Sequence, residues 1–412
     1  MAKKEVNITF KTITPLWIGD AWQECKEIRP SSLIGSLRFW FEVICYFSGI
    51  CKKEDFNSKN DRFEKEVNRE ELTKCLVKKG NTFEAKIECL LKQGIPLPSI
   101  IFGTTNWRSL IEVKSIKYLE DYCFGNKLNL PDKICINKSN YKIKENYDCP
   151  RKSNENWSVF YFTKPYFYGK FKVKFQIEEE ILEPIFYPLL TFMDKYGFWG
   201  GKWNIGYGRL KVLKVKINNR TINDWKKDNF KLFDNINFSW NEKIETVKLD
   251  FNSTASEFLK SILDKSSDDM FSFSCKEDED FRNKMKSFSK KIIILENSQG
   301  GSNDYRSIIE NLLKAKVRIR NCLRHKCENQ FKNCFEKRNG KEIFNGEKSV
   351  KCNGGQIECK ELKLWRTFRH KLLGEQGEGS KILQFIYEEQ QQLKGGFLSI
   401  AGLLNLKGEE NE

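Results

Sequence analysis

The run Lys170-Phe171-Lys172-Val173-Lys174-Phe175-Gln176-Ile177 alternates an apolar residue with a polar one through all eight positions. A period of two places Phe171, Val173, Phe175 and Ile177 on one side of a strand and the lysines on the other, so this is a half-buried strand. A helix read over Glu179–Tyr196 follows, with Pro184 and Pro188 as points where it can bend. A glycine-rich turn then leads into a second strand, Arg209–Ile217. Upstream, Val6, Ile8, Phe10 and Thr12 alternate in the same way, and Pro15 and Gly19 break that strand. A helix capped by Ser31 or Ser32 comes next, its apolar stripe formed by Leu33, Leu37, Trp40, Phe41 and Ile44. A strand over Leu110–Ile116 completes the order strand, helix, strand, strand, helix, strand. That order predicts an α+β, ferredoxin-like arrangement with helices on one face of an antiparallel sheet.

The rest of the chain reads as elaboration or as a second unit. Lys52–Lys79 is a charged insertion, Leu119–Asn156 turn-rich decoration, and Asn218–Asn241 a polar linker. Beyond it lie helices at Glu257–Leu263, Asp304–His325 and Leu362–Leu373, and strands at Lys291–Leu295, Ile382–Tyr387 and Phe397–Leu404. These predict two tandem ferredoxin-like domains with helical and loop insertions, residues 1–217 and 218–412.

The chain of 412 residues carries 72 Lys+Arg against 56 Asp+Glu, a net charge of +16. A surplus of this size points to a polyanionic partner. Membrane is the weaker choice: Leu33–Phe47, the most apolar stretch, is interrupted by Arg38 and Glu42 and is too short to span a bilayer. Nor does the N-terminus have the layout of a signal peptide. The expectation is a soluble, cytoplasmic protein. Its 14 cysteines then read as reduced, buried thiols. Cys322, His325, Cys327, Cys334, Cys352 and Cys359 cluster in sequence, but without the C-x-x-C pair usual in structural zinc sites. Zinc there stays an open alternative, and no cofactor is expected.

Charge concentrates in two segments. Lys195–Lys216 contains no acid, and on the Asp304–His325 helix Lys316, Arg320 and Arg324 recur every four residues, a stripe able to track phosphates. Within the first segment, Gly197-Phe198-Trp199-Gly200-Gly201-Lys202-Trp203-Asn204-Ile205-Gly206-Tyr207-Gly208-Arg209 holds five glycines between helix and strand. Its amides can face phosphate oxygens, Lys202 and Arg209 add charge, and Trp203 and Tyr207 can stack on unpaired bases. The competing reading is a tight turn with core aromatics.

Thr9–Gly19, the run Glu27-Ile28-Arg29-Pro30-Ser31-Ser32-Leu33-Ile34-Gly35-Ser36-Leu37-Arg38-Phe39-Trp40, Ile101-Phe102-Gly103 and the Gly200–Arg209 loop together resemble the RAMP superfamily of CRISPR proteins. More narrowly they are similar to the first RAMP subunit of the Cmr, or type III-B, effector complex. Lys202 departs from the pattern, since such loops often carry Arg there. The resemblance implies a non-catalytic subunit that holds CRISPR RNA and target RNA beside other Cmr RAMP subunits. It carries RNA contact onto Arg29, Ser32, Arg38, Lys202 and Arg209. Arg38 equally reads as an ion-pair partner of Glu42, one turn on. Some RAMP proteins instead process repeat RNA with histidine, which here leaves only His325 and His370. A third possibility is a purely architectural subunit.

Overall fold

The computed structural model describes residues 2–20, 22–150, 156–233, 236–239, 246–250, 292–296, 304–324, 327–338, 340–352, 355–374 and 382–399. They divide into two compact units: residues 1–130 with 163–243, and residues 131–162 with 244–403. The boundary expected at 217/218 is therefore displaced, and part of the presumed decoration belongs to the second unit.

In the first unit, strand β1 (Lys3–Thr12) leads to helix α1 (Pro30–Phe47). Three helices follow, α2 (Arg69–Lys79), α3 (Phe83–Lys92) and α4 (Leu97–Phe102). Strands β2 (Ile111–Tyr118) and β3 (Lys170–Glu178) come next. After β3 the chain passes through a π-helical turn, Leu182–Phe186, that holds Pro184. It continues as α5 (Tyr187–Lys195) and closes with β4 (Leu210–Ile217). The π turn is how this helix accommodates a proline that cannot donate to the ladder. The main strands lie in the order β4-β1-β3-β2, every pair antiparallel. Register fixes two faces: Val6, Ile8 and Phe10 sit opposite Phe175, Val173 and Phe171, and all six are buried.

α1 begins at Pro30, with Arg29 extended before it and no side-chain cap, so neither Ser31 nor Ser32 caps it. Proline at the first helical position presets the backbone and lacks only an amide that would be orphaned anyway. Trp40 anchors the helix: its indole donates to the Phe198 carbonyl at 2.9 Å, and its ring packs on Phe192, Phe198 and Trp203. The polar stretch expected as linker contains a hairpin, Asn229–Phe233 with Ile236–Ser239.

In the second unit, Lys133–Asn137, Ile143–Glu145 and Trp157–Tyr161 form a three-stranded sheet. Its other elements are β5 (Thr246–Asp250), β6 (Ile292–Glu296), α6 (Tyr305–Cys322), α7 (Cys359–Leu373), β7 (Ile382–Glu389) and β8 (Gln392–Ser399). Their sheet runs β5-β6-β8-β7, and β5 and β6 are parallel. This departs from the all-antiparallel sheet expected of a second ferredoxin-like domain. The predicted helix Glu257–Leu263 lies outside the described residues.

The cysteines overturn the reduced-thiol expectation. Cys75–Cys89, Cys135–Cys149, Cys327–Cys352 and Cys334–Cys359 are disulfides, and Cys25, Cys45, Cys51 and Cys123 are free. Two of the bonds cross one small core of Cys327, Cys334, Val350, Ile357, Cys359 and Leu362. They also occupy four of the six residues that raised the zinc alternative. Closing loops of 14 or 25 residues restricts the unfolded chain by about 3 kcal/mol per bond in the chain-entropy model. Reductant is therefore expected to lower the melting temperature by several degrees, and non-reducing peptide mapping to recover these four pairs. Equal melting with and without reductant would contradict the assignment.

Candidate nucleic-acid interface

The loop between α5 and β4 lies against the segment that follows β1. Gly201 donates its amide to the Trp17 carbonyl at 3.0 Å, and Gly208 donates to Pro15 at 2.8 Å. Gly200 has φ +66° and Gly208 φ +92°. A Cβ on Gly200 would run into the Trp17 carbonyl, and one on Gly208 into that of Trp199. These glycines are required for the close approach of two protein backbones. Gly200 gives its amide to Ser36 Oγ, 3.0 Å away, which ties the loop to α1. Three of the amides expected to face phosphate thus have protein acceptors.

The two arginines carried over from the motifs are buried. Arg209 has no exposed surface, and its guanidinium donates to the carbonyls of Gly197, Lys195 (2.7 Å) and Asp194 (3.5 Å). It caps the C-terminal end of α5, where carbonyls lack helical partners and the dipole favours a cation. Burial draws its pKa down, opposed by nearby Asp194. Arg38 donates to Glu42 at 2.8 Å, to the Gly103 carbonyl at 2.9 Å and to Ser99 Oγ at 3.4 Å, joining α1 to the end of α4. Burial pushes the Glu42 carboxyl up while Arg38 opposes the shift. Neither arginine presents a charge to a ligand, which corrects both assignments.

The α6 stripe is corrected as well. Lys316 is buried, with burial and neighbouring Arg320 drawing its pKa to about 8. Arg320 donates to the carbonyls of Leu373 and Gly374 at 3.1 and 3.0 Å, capping α7, and exposed Arg324 pairs with Glu328 at 3.2 Å. A spacing of four residues aligns side chains on a helix but does not say whether that face meets solvent or protein.

What the loop does build is a groove of about 360 Å³. Trp17, Ile18 and Gly19 line it from the segment after β1, Ser32, Gly35, Ser36 and Phe39 from α1, and Gly200, Gly201 and Trp203 from the loop. Trp203 packs against Phe39, Trp40 and Phe198, and Phe39 is exposed. The indole N–H groups of Trp17 and Trp203 have no acceptor among the described residues. Lys202, in a left-handed conformation, holds its ammonium 4.9 Å from the Trp17 ring centre. Arg29 pairs with Asp20 (3.5 Å) and Glu27 (3.2 Å) just before α1. Of the predicted residues, Ser32 and Trp203 therefore meet at one groove and Lys202 stands beside Trp17 on its wall. Trp17, Gly35 and Phe39 were not singled out, although all three lie within the quoted N-terminal motif.

Residues 9–211, which contain every element of this groove, match the model of the RAMP superfamily, and this part of the chain belongs to that superfamily. Among solved structures, one chain of a type III-B Cmr-beta complex bound to cognate target RNA and AMPPnP, in the presence of single-stranded DNA, is 12% identical. That match covers 98% of both chains with a TM-score of 0.36. Cmr1 from Pyrococcus furiosus, in its apo form, is 11% identical over 96% of this chain and 88% of its own, with a TM-score of 0.34. A chain of a Cmr-beta complex bound to cognate target RNA is 12% identical with a TM-score of 0.27. Here the match covers 52% of this chain and only 60% of the other. No curated protein matches the chain.

The burial contrast between the two loop cations gives a test. Arg209→Met leaves the carbonyls of Asp194, Lys195 and Gly197 without their donor and is expected to cost about 3 kcal/mol in denaturant unfolding. Lys202→Met removes a partly exposed cation–π pairing and should cost under about 1 kcal/mol. Equal effects would contradict the capping role.

Proposed function

We propose that this chain is an RNA-holding, non-catalytic subunit of a type III-B CRISPR effector complex, working in the cytoplasm with CRISPR RNA, target RNA and other RAMP subunits. In this reading the first unit is a ferredoxin-like domain, supported by its β-α-β-β-α-β order and the β4-β1-β3-β2 sheet. The observation that carries the proposal is the groove inside the superfamily-matched segment. Its aromatic walls suit an unpaired base, its serine hydroxyls suit base or ribose edges, and Lys202 offers a cation to a phosphate. The lining residues provide hydroxyls, indoles and glycines, which bind but supply no general acid or base of useful pKa. The superfamily supports the RNA-complex setting, and the N-terminal motif points to the first RAMP subunit.

Four disulfides are unusual for a reducing cytoplasm, although intracellular proteins of hyperthermophiles do carry them. No helix among the described residues is long and apolar enough to cross a membrane.

Gly35 offers a clean test, because a Cβ built there meets nothing within 4 Å. Gly35→Glu places a bulky anion at the groove without disturbing its walls. Binding of a single-stranded RNA oligonucleotide, followed by fluorescence anisotropy at fixed salt, should weaken at least tenfold while the thermal melt is kept. Unchanged affinity would contradict the proposal. Incubation of the pure chain with guide and complementary target RNA, under magnesium, manganese or chelator, should give no cleavage. Cleavage that co-elutes with the protein and vanishes on a single substitution would overturn the non-catalytic reading.

A further inference from the structure

The strands that bury Phe171, Val173 and Phe175 present their other side chains on the opposite face of the same sheet. Register shows what gathers there. Across β4, β1, β3 and β2, one row is Lys216, Asn7, Lys174 and Ser115. The next is Lys214, Thr9, Lys172 and Lys117, and the third, reaching only β3, is Lys211, Lys11 and Lys170. These positions hold eight lysines and no carboxylate. Lys117, Lys170 and Lys214 are exposed, while Lys11, Lys172, Lys174, Lys211 and Lys216 are partly so. Lys117, Lys170, Lys172, Lys211, Lys214 and Lys216 make no ion pair with the described residues. At one end Glu5 pairs with Lys174 at 3.1 Å and Glu112 is shared by Lys3, Arg108 and Lys114, and at the other Asp121, paired with Lys127, lies within electrostatic reach of Lys170.

Such a face works against the fold. Lys11 lies directly opposite both Lys170 and Lys211, and Lys172 opposite Lys117, and like charges opposite one another destabilise a sheet. Neighbouring strands are about 4.8 Å apart and successive same-face residues about 6.7 Å. Both spacings fall inside the Debye length of about 8 Å at physiological salt, so solvent ions screen the repulsion only in part. An occupant carrying regularly repeated negative charge would remove it.

We propose that this face is a second RNA-binding surface, one that follows the phosphodiester backbone of an RNA strand without reading its bases. The inference rests on the RNA-holding reading above and extends it from the groove to the far side of the sheet. No aromatic ring occupies the three rows, so base stacking has no platform there. A protein partner fits less well, because protein interfaces concentrate aromatic anchors and are depleted in lysine. An anionic bilayer would meet the same charge but no apolar anchor.

The experiment replaces Lys170, Lys172, Lys211 and Lys214 with glutamine in the full-length chain and titrates single-stranded polyuridine and polyadenosine across salt. The affinity for both is expected to fall at least tenfold at low salt. The slope of log K against log salt should become shallower by about 0.7 for each phosphate no longer neutralised. The melting temperature should hold or rise as repulsion is relieved. Lys172→Gln with Lys214→Gln alone should give about half the slope change, and serves if the fourfold variant fails to fold. A control removing the same charge from exposed Lys53, Lys59, Lys74 and Lys78 should leave both quantities nearly unchanged, and an equal loss there would overturn the proposal. Full affinity and slope in the face variant, with Gly35→Glu still weakening binding, would refute this surface and spare the groove. No RNA binding by the unmodified chain would refute both. Capture by phosphatidylserine vesicles that exceeds RNA binding and is lost in the face variant would assign the surface to membrane and overturn the proposal.

Discussion

Two backbones lying side by side, Pro15–Trp17 against Gly200–Gly208, hold the first unit's groove in place. Hydrogen bonds from Gly201 to Trp17 and from Gly208 to Pro15 close that approach. A Cβ on Gly200 would force these two stretches apart, and one on Gly208 would run into the Trp199 backbone within the loop itself. Because the loop is pinned there, the Gly200 amide meets Ser36, Trp203 meets Phe39 and Trp40, and the groove acquires three walls from three distant stretches of sequence. Arg209 secures the other end of the loop by capping α5. The loop's charge thus divides by role: the arginine binds the protein to itself, while Lys202 remains partly exposed beside Trp17.

A single alternation serves two ends in β3. Its phenylalanines and valine fill the core, and its lysines build a positive sheet face that self-repels. Burial on one face must outweigh repulsion on the other, and the fully buried Phe10, Phe171 and Phe175 supply that margin through apolar area and ring packing. Stability and ligand affinity therefore pull in opposite directions at the same strands, as they commonly do at binding sites.

The elements of the first unit were legible because period two and period 3.6 are local properties of the chain. Alternation at Val6–Thr12 and Lys170–Ile177, and the stripe Leu33–Ile44, survive into the structure with small shifts at their ends. Burial was not legible for charged residues. Arg38, Arg209, Lys316 and Arg320 all read as candidates for phosphate, yet each packs into its own unit; the carbonyls that hold the three arginines are tertiary facts, whereas the Glu42 partner of Arg38, one turn on, was readable in the sequence. Disulfide partners were hidden for the same reason: Cys334 and Cys359 lie 5.5 Å apart between Cα atoms because two hairpins, Phe335–Arg338 with Lys341–Phe344 and Ser349–Cys352 with Gly355–Glu358, fold the chain back between them. Pattern also missed that residues 131–162 leave the first unit, since short strands separated by turns carry little sign of their partner.

The measurement that bears most directly on RNA gripping through this groove is ultraviolet crosslinking of bound RNA to the intact chain, with the adducts mapped by mass spectrometry. The account predicts adducts on the peptides that hold Trp17, Phe39 and Trp203. RNA bound tightly, with adducts confined to the second unit and none on those three residues, would contradict it.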